Sequence, residues 1–211
     1  MNRESLQLEL EKKENNGERI ADAILKKPNL TPGVITGISS SSPTVRFKCA
    51  KILRLISEAR PEVLYPYFDF FENLLNNENN IIKWNATDVI ANLATVDSEN
   101  KFNRIVTRYY GLLNEGSLIT AAHVVENSGK IARAKPNLRG RIAAEILKVT
   151  EIPLPTAECR NIIAGKAITA FSRYPELVTD KKIAISFVTC QLNSARSATR
   201  KKAETFLRGL V

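Results

Sequence analysis

His123 is the only histidine of this chain, so it is the one position at which the commonest general base of enzymes is available. Glu126 follows it by three positions, and on a helix its carboxylate could orient the imidazole or accept its proton. The same spacing suits an ordinary polar pair on a helix surface, which is the interpretation we favour. His123 and Glu126 alone therefore predict no catalytic site.

Trp84 and Asp88 form a second pair, and their separation of four positions places them on one helix face. Neighbouring helices pack about 8–10 Å apart, so residues on adjacent helices could meet. The resulting central patch would contain Phe47, Trp84, Asp88, His123 and Glu126. Its rings could stack on a nucleic-acid base. We favour the alternative that the aromatic residues form the edge of a core, because aromatic residues at helical spacing usually pack internally.

Other chemical signatures are absent from the sequence. It contains no Gly-rich phosphate loop, no HExxH or GxSxG motif and no cluster with metal-ligand spacing. The three cysteines, Cys49, Cys159 and Cys190, are odd in number, far apart and set among apolar residues, which indicates small buried side chains. We therefore expect no enzyme activity, no cofactor and no bound metal.

The elements that position these residues follow a period near 38 residues. Five segments align on anchors spaced by 37, 38, 40 and 36 positions, namely Ile56, Leu93, Ile131, Phe171 and Leu207. Small or apolar residues predominate four and seven positions before each anchor, which is the pattern of one helix face. Each of these helices, called B, is preceded by a helix called A. Pro61, Pro136 and Pro175 mark the starts of three A-helices.

These signals predict two-helix repeats at 29–60, 61–98, 99–135, 136–174 and 175–211. The B-helix segments lie at 43–60, 80–94, 117–135, 155–173 and 195–211. The preceding segment, 1–28, contains an amphipathic run at 20–25 and is predicted to form a helical cap, because terminal repeats must cover the end of a stack.

The turn before a B-helix resembles that of the HEAT-repeat family within the armadillo-like superhelices. The residues that carry the resemblance are Val45-Arg46 with Cys49, Ala50 and Leu53, and Ile82-Lys83 with Ala86 and Ile90. It covers nearly everything after residue 29 and implies an all-α fold, an α-α superhelical solenoid whose B-helices line the concave surface. The third and fifth B-helices depart from the pattern, so a related two-helix array remains an alternative.

Charge is unevenly distributed between the two kinds of helix. The chain carries a net charge of +9, and the B-helix segments hold 17 Lys and Arg against 5 Asp and Glu. Five positions before each anchor stands a charged residue: Lys51, Asp88, Glu126, Lys166 and Lys202. We predict a basic groove formed by Arg46, Lys51, Lys166, Arg196, Arg200 and Lys202. Such a surface could bind an anionic partner through many weak contacts, or it could simply confer solubility.

The resulting expectation is a noncatalytic scaffold that binds an acidic protein surface or a nucleic acid. The alternative is an enzyme similar to the HEAT-like alkylpurine DNA glycosylases, whose site combines tryptophan with a catalytic aspartate; Trp84 and Asp88 would then take those roles. No stretch approaches the roughly 18 apolar residues of a membrane span, and the N-terminal segment is too charged for a signal peptide. A soluble, cytoplasmic protein without membrane contact is expected.

Overall fold

The computed structural model describes residues 2–14 and 16–209. Within these residues it contains twelve α-helices, several short 3-10 turns and no β-strand. The helices are α1 (Arg3–Glu11), α2 (Gly17–Lys26), α3 (Thr31–Gly37), α4 (Pro43–Ala59), α5 (Phe68–Leu74), α6 (Asn80–Leu93), α7 (Lys101–Gly111), α8 (Leu118–Ala134), α9 (Arg139–Leu147), α10 (Ala157–Arg173), α11 (Lys181–Cys190) and α12 (Ser197–Arg208).

The predicted pairing of helices is confirmed. The B-helices are α4, α6, α8, α10 and α12, and each lies within its predicted segment. The A-helices are α3, α5, α7, α9 and α11. Residues 210 and 211 of the last predicted repeat, and residues 1 and 15 of the predicted cap, lie outside the described residues.

Polar side chains fix the starts of three B-helices. Asn79, Ser117 and Thr156 each accept hydrogen bonds from backbone N–H groups two or three positions later, which satisfies donors that the first helical turn leaves unpaired. Helix α4 begins instead with Pro43, whose fixed φ suits a first turn, and α12 follows Arg196.

Four helices end at a residue that directly precedes a proline. The residues before the prolines have ψ between 76° and 89°, since proline disfavours the helical conformation of its predecessor; they are Lys27, Arg60, Lys135 and Tyr174. Three of these prolines, Pro61, Pro136 and Pro175, were predicted to lie in the first turns of A-helices. They begin separate 3-10 turns instead, and the A-helix starts three or more residues later.

The N-terminal segment has the organisation of a further repeat. Helix α1 is joined to α2 by an ion pair between Glu9 and Arg19. Helix α2 buries Ile20 and Ile24, and Lys27-Pro28 ends it as later prolines end B-helices. Helix α2 packs on α4 as α4 packs on α6. The sequence alignment missed this because Ile24 precedes Ile56 by only 32 positions, outside the spacing of the later repeats. The capping role remains a prediction.

The helices form two compact units, Met1–Phe102 and Asn103–Val211. In the first unit, α4 lies between α2 and α6, and its core includes the fully buried Ile52 and Phe71. In the second unit, α10 lies between α8 and α12, with Ile168 buried. In both units the B-helices therefore pack side by side.

The register of α10 differs by one residue from the sequence alignment. The buried positions of α8 match buried positions of α10 that lie 39 residues later. Val124 corresponds to Ile163, and Ile131 corresponds to Ala170. Ala170, rather than Phe171, is therefore the counterpart of Ile131. Glu126 then corresponds to Gly165, so Lys166 does not continue the predicted column of charged residues.

Candidate binding faces on the B-helices

Three arginines hold the turns that precede their own B-helices. Each is the fourth residue of its helix and donates to the carbonyl six positions earlier: Arg46 to Ser40 at 3.3 Å, Arg160 to Leu154 at 3.2 Å and Arg200 to Ser194 at 2.6 Å. Arg196 and Arg200 were both predicted as residues of the basic groove. Because Arg196 precedes the first turn of α12, Arg200 is the structural counterpart of Arg46 and Arg160.

The basic residues of α4 are half-buried. The Arg46 guanidinium carbon lies 5.2 Å from the centre of the Phe47 ring, a cation–π distance, and Lys51 lies one turn further along the helix. Lys48 donates to carbonyls at the end of α1, including that of Glu9 at 3.3 Å, and burial lowers its pKa. These side chains contact neighbouring protein groups as well as solvent.

Two ion pairs join neighbouring B-helices in the second unit. Lys166 of α10 pairs with Glu126 of α8, and Arg196, at the start of α12, pairs with Glu158 of α10. All four side chains are between 36% and 52% exposed, so each pair contributes only about 0.2–1 kcal/mol to stability. Two of the six predicted groove residues are therefore already paired with carboxylates.

Arg200 and Lys202 also contact backbone acceptors. Besides Ser194, Arg200 reaches the carbonyl of Ala195 at 3.1 Å, and Lys202 donates to the carbonyl of Gly165 at 3.2 Å. Burial, followed by repulsion from Lys166, lowers the pKa of Lys202. Part of the basic charge predicted from the sequence therefore serves to join α10 to α12.

A cleft of about 300 Å³, the α8–α10 cleft, opens on the B-helix side of the second unit. It is lined by Glu126, Asn127, Lys130, Lys166, Thr169, Ala170, Arg173 and Tyr174. Three of these side chains are cationic and one is anionic. Arg173 is exposed and makes no ion pair or hydrogen bond with the described residues.

The cleft has an aromatic wall formed by Tyr174. A Cβ atom on Gly129 would lie 2.0 Å from Tyr174 Cδ2, so only glycine permits this approach of the ring to α8. The Arg133 guanidinium carbon lies 5.0 Å from the centre of the same ring, and Arg133 Nε donates to Glu176 at 2.9 Å. A backbone hydrogen bond, and then Arg133, lower the pKa of Glu176. The Tyr174 ring is therefore fixed between a helix backbone and a guanidinium group.

The residues of the predicted central patch fall in both units. Phe47, Trp84 and Asp88 are half-buried on α4 and α6 of the first unit. In the second unit, His123 is half-buried and Glu126 is exposed, both on α8. Trp84 and Asp88 share one face of α6 as predicted, while the meeting of all five residues remains a prediction.

The prediction that all three cysteines are buried is correct for Cys49 and wrong for Cys190, which lies on the surface of α11. Cys49 is fully buried, and burial raises the pKa of its thiol to about 12, whereas Cys159 is half-buried and Cys190 is exposed. Among residues 2–14 and 16–209, no three His, Cys, Asp or Glu side chains lie close enough to hold a metal ion. In the same part of the chain, no helix has the length and apolar character required to cross a bilayer.

The α8–α10 cleft was not recognised from the sequence, although Lys130 and Arg173 were counted among the basic residues. The sequence feature that could have indicated the cleft is Gly129, a glycine inside the 17-residue helix α8. Glycine costs about 1 kcal/mol there relative to alanine, which indicates a close packing partner. The partner, Tyr174, is 45 residues away in the sequence, so the signal did not identify it.

Comparisons with known proteins identify the fold alone. No protein-family model matches the chain, and no curated protein matches it in sequence. A designed armadillo repeat protein, YIII(Dq)4CqI, is similar in structure, with a TM-score of 0.61 and 14% sequence identity over 90% of this chain and 86% of that chain.

A second solved structure, an engineered protein of the Northeast Structural Genomics Consortium (target OR329), has a TM-score of 0.55 and 16% identity over 90% of this chain and 82% of that chain. Together with the paired helices, these similarities confirm an armadillo/HEAT-like helical-repeat solenoid fold. Folds of this kind build extended surfaces from successive repeats, an arrangement suited to binding.

Proposed function

We propose that this chain is a noncatalytic scaffold of the cytoplasm that binds an anionic macromolecular partner along its B-helix faces. The observation that carries the proposal is the segregation of charge. The B-helix segments hold 17 basic and 5 acidic residues, whereas the intervening A-helix segments hold 8 basic and 11 acidic residues. A face with this excess attracts anions at long range and increases their rate of encounter.

The anionic partner would contact the residues of the predicted basic groove, and these residues differ in how far they are already engaged within the protein. Lys51 is half-buried on α4. Lys166 and Arg196 hold carboxylates that an anionic partner would have to displace. Arg46, Arg200 and Lys202 use part of their donor capacity on backbone carbonyls. Their guanidinium and ammonium groups carry further donors, so a ligand can still bind them.

Binding assays on the full chain test this proposal. Duplex DNA, single-stranded DNA, RNA and a glutamate-rich peptide would be titrated at low and at physiological salt. We expect at least one probe to bind at low salt and to weaken as salt rises, because cations on the protein replace the counterions of the ligand. Absence of binding to all four probes at low salt would refute the proposal.

A pair of charge reversals locates the binding face. Lys201 is exposed on α12, and Lys148 is exposed directly after the A-helix α9. Lys201→Glu should weaken binding several-fold, while Lys148→Glu, which makes the same change in net charge, should have little effect. Equal losses in the two variants would show that net charge alone drives binding, without a preferred face.

The catalytic alternative rests on Trp84 and Asp88, which are both half-buried and lie one turn apart on α6. It requires release of an alkylated base from DNA by the wild-type protein and loss of that activity in Asp88→Asn. Inactivity of the wild-type protein on alkylated DNA would end this alternative and leave the scaffold proposal unaffected.

A further inference from the structure

We propose that the α8–α10 cleft is a binding site for a phosphorylated serine or threonine side chain of a partner protein. This inference rests on the proposed function, since it assumes an anionic partner at a B-helix face, and it specifies both the place and the chemical group. Its basis is the charge of the cleft, the fixed aromatic wall and the position of one carboxylate.

The cationic lining of the cleft suits a phosphate monoester. Lys130, Lys166 and Arg173 line it together with the single carboxylate of Glu126, which gives a net lining charge of +2. A phosphorylated side chain carries nearly two negative charges at neutral pH and three acceptor oxygens. A carboxylate offers one charge and two oxygens. Three cations around one small cleft therefore match the phosphate group in charge and in number of acceptors.

The wall of the cleft is held in place before any ligand binds. Gly129 allows the Tyr174 ring against α8, and Arg133 lies over the ring while Glu176 holds the guanidinium. Because this ring is already confined, binding costs little additional ordering of that wall. The positive charge of Arg133 is largely satisfied by Glu176, so the attraction for a phosphate arises from the three cations of the cleft itself.

Glu126 competes with the ligand for Lys166. The two side chains form an ion pair in the free protein, with exposed fractions of 47% for Glu126 and 36% for Lys166. Such an exposed pair is weak, so a dianion can take the place of the carboxylate. Glu126 would then repel the bound phosphate, and its removal should strengthen binding. A purely structural role for Glu126 would not produce that gain.

The surroundings of the cleft favour a phosphorylated protein over nucleic acid. On α12, Arg200 and Lys202 donate to backbone carbonyls, and Arg196 pairs with Glu158. A nucleic-acid backbone requires a track of repeated cationic contacts. These three basic residues keep further donors, but each is already partly engaged within the protein, so they favour such a track less than three fully available cations would. In the α8–α10 cleft, by contrast, Lys130, Lys166 and Arg173 line the same small space. The Arg173 side chain is exposed and has no partner among the described residues. This arrangement fits one localised dianion.

An NMR titration with O-phosphoserine tests the site without knowledge of the partner. Amide shifts of the full chain would be followed during addition of O-phosphoserine, with L-serine and L-glutamate as matched probes. We expect shifts confined to the residues of α8, α10 and Tyr174 that surround the cleft, with a dissociation constant on the order of 1 mM, weaker binding of L-glutamate and none of L-serine.

Three variants refine the titration. Arg173→Gln should weaken O-phosphoserine binding by about tenfold, as expected for loss of one charge-assisted contact. Glu126→Gln should strengthen binding by roughly threefold, an effect of less than about 1 kcal/mol. Lys148→Gln, which removes an exposed charge outside the cleft, should bind like wild type. The unshifted amide spectrum elsewhere verifies that each variant is folded.

Several results would overturn the inference. They are the absence of shifts at the cleft with O-phosphoserine in roughly tenfold excess over the expected dissociation constant, equal binding of L-glutamate, or wild-type binding by Arg173→Gln. If an oligonucleotide bound the chain while O-phosphoserine did not, the inference would fail and the proposed function would stand. If none of the anionic probes bound at low salt, both would fail.

Discussion

The ring of Tyr174 packs directly against the α-carbon of Gly129, at a distance that leaves no room for a methyl group. Glycine normally weakens the interior of a helix. Here the close approach of the ring explains why it is present. The two residues belong to different repeats, and their contact fixes one wall of the α8–α10 cleft.

Gly129→Ala should destabilise the second unit by about 1–3 kcal/mol, because the added methyl group forces the Tyr174 ring or α8 to move. This loss in the free energy of unfolding is opposite in sign to the gain that helix propensity alone predicts for replacing glycine by alanine. Urea unfolding, followed by circular dichroism, measures it.

Gly140→Ala is the matched control, since a Cβ atom at Gly140 meets nothing within 4 Å. It should leave stability unchanged or raise it by up to about 1 kcal/mol. Combining Gly129→Ala with Tyr174→Ala should cost less than the two single changes added together. An additive double variant would contradict the close contact.

Arg200→Met should destabilise the protein by about 1–2 kcal/mol, because it removes the donors to the carbonyls of Ser194 and Ala195 while keeping most of the aliphatic stem. Lys201→Met removes the same charge at the next, exposed position and should change stability by less than about 0.5 kcal/mol. Thermal or urea unfolding of the two variants compares them. Equal losses would mean that charge, rather than the turn contact, is responsible.

Acid should weaken the contact between Arg133 and Glu176. The folded protein lowers the pKa of Glu176 below its usual value of 4.5, so the stabilisation is complete above about pH 4.5 and is lost as pH falls through the lowered pKa. Glu176→Gln should therefore lose stability relative to wild type at pH 7, and the difference should shrink toward pH 3. A difference independent of pH would contradict the assignment. Unfolding curves across this pH range provide the measurement.

Thiol labelling should distinguish the three cysteines. Cys190 should react first because it is exposed, Cys159 more slowly, and Cys49 only after unfolding, since its thiol is buried and its pKa is raised to about 12. Peptide mass spectrometry after iodoacetamide treatment, with and without denaturant, identifies the modified sites. Labelling of Cys49 in the native protein at the rate of Cys190 would contradict the packing of α4 that is described above.

The helix pairs were predictable from the sequence because their signals are local. Apolar spacing, polar caps and prolines act within a few residues, and all five predicted B-helices were found in place. The register of α10 was missed by one residue because both Ala170 and Phe171 are buried, so the apolar pattern does not distinguish them. The N-terminal segment was predicted to be helical, but its organisation as a further repeat was missed because that repeat is shorter than the others.

The candidate site was less predictable, because its chemistry depends on contacts between repeats. The sequence gives Lys166 and Arg196 as basic residues, but their pairing with Glu126 and Glu158 depends on side-chain positions across neighbouring helices. The carbonyl contacts of Arg200 likewise depend on the path of a turn. Counting charges on helices therefore overstates the charge that remains available to a ligand.

The boundary between the two compact units falls inside α7, between Phe102 and Asn103, rather than in a loop. Asp97 accepts hydrogen bonds from the N–H groups of Lys101 and Phe102 at 2.8 and 2.9 Å, so the start of that helix is held on the first unit's side of the boundary. A protease cuts extended, accessible segments, and the helical backbone of α7 at this boundary is not extended. A cut at this boundary would therefore divide α7 rather than a loop.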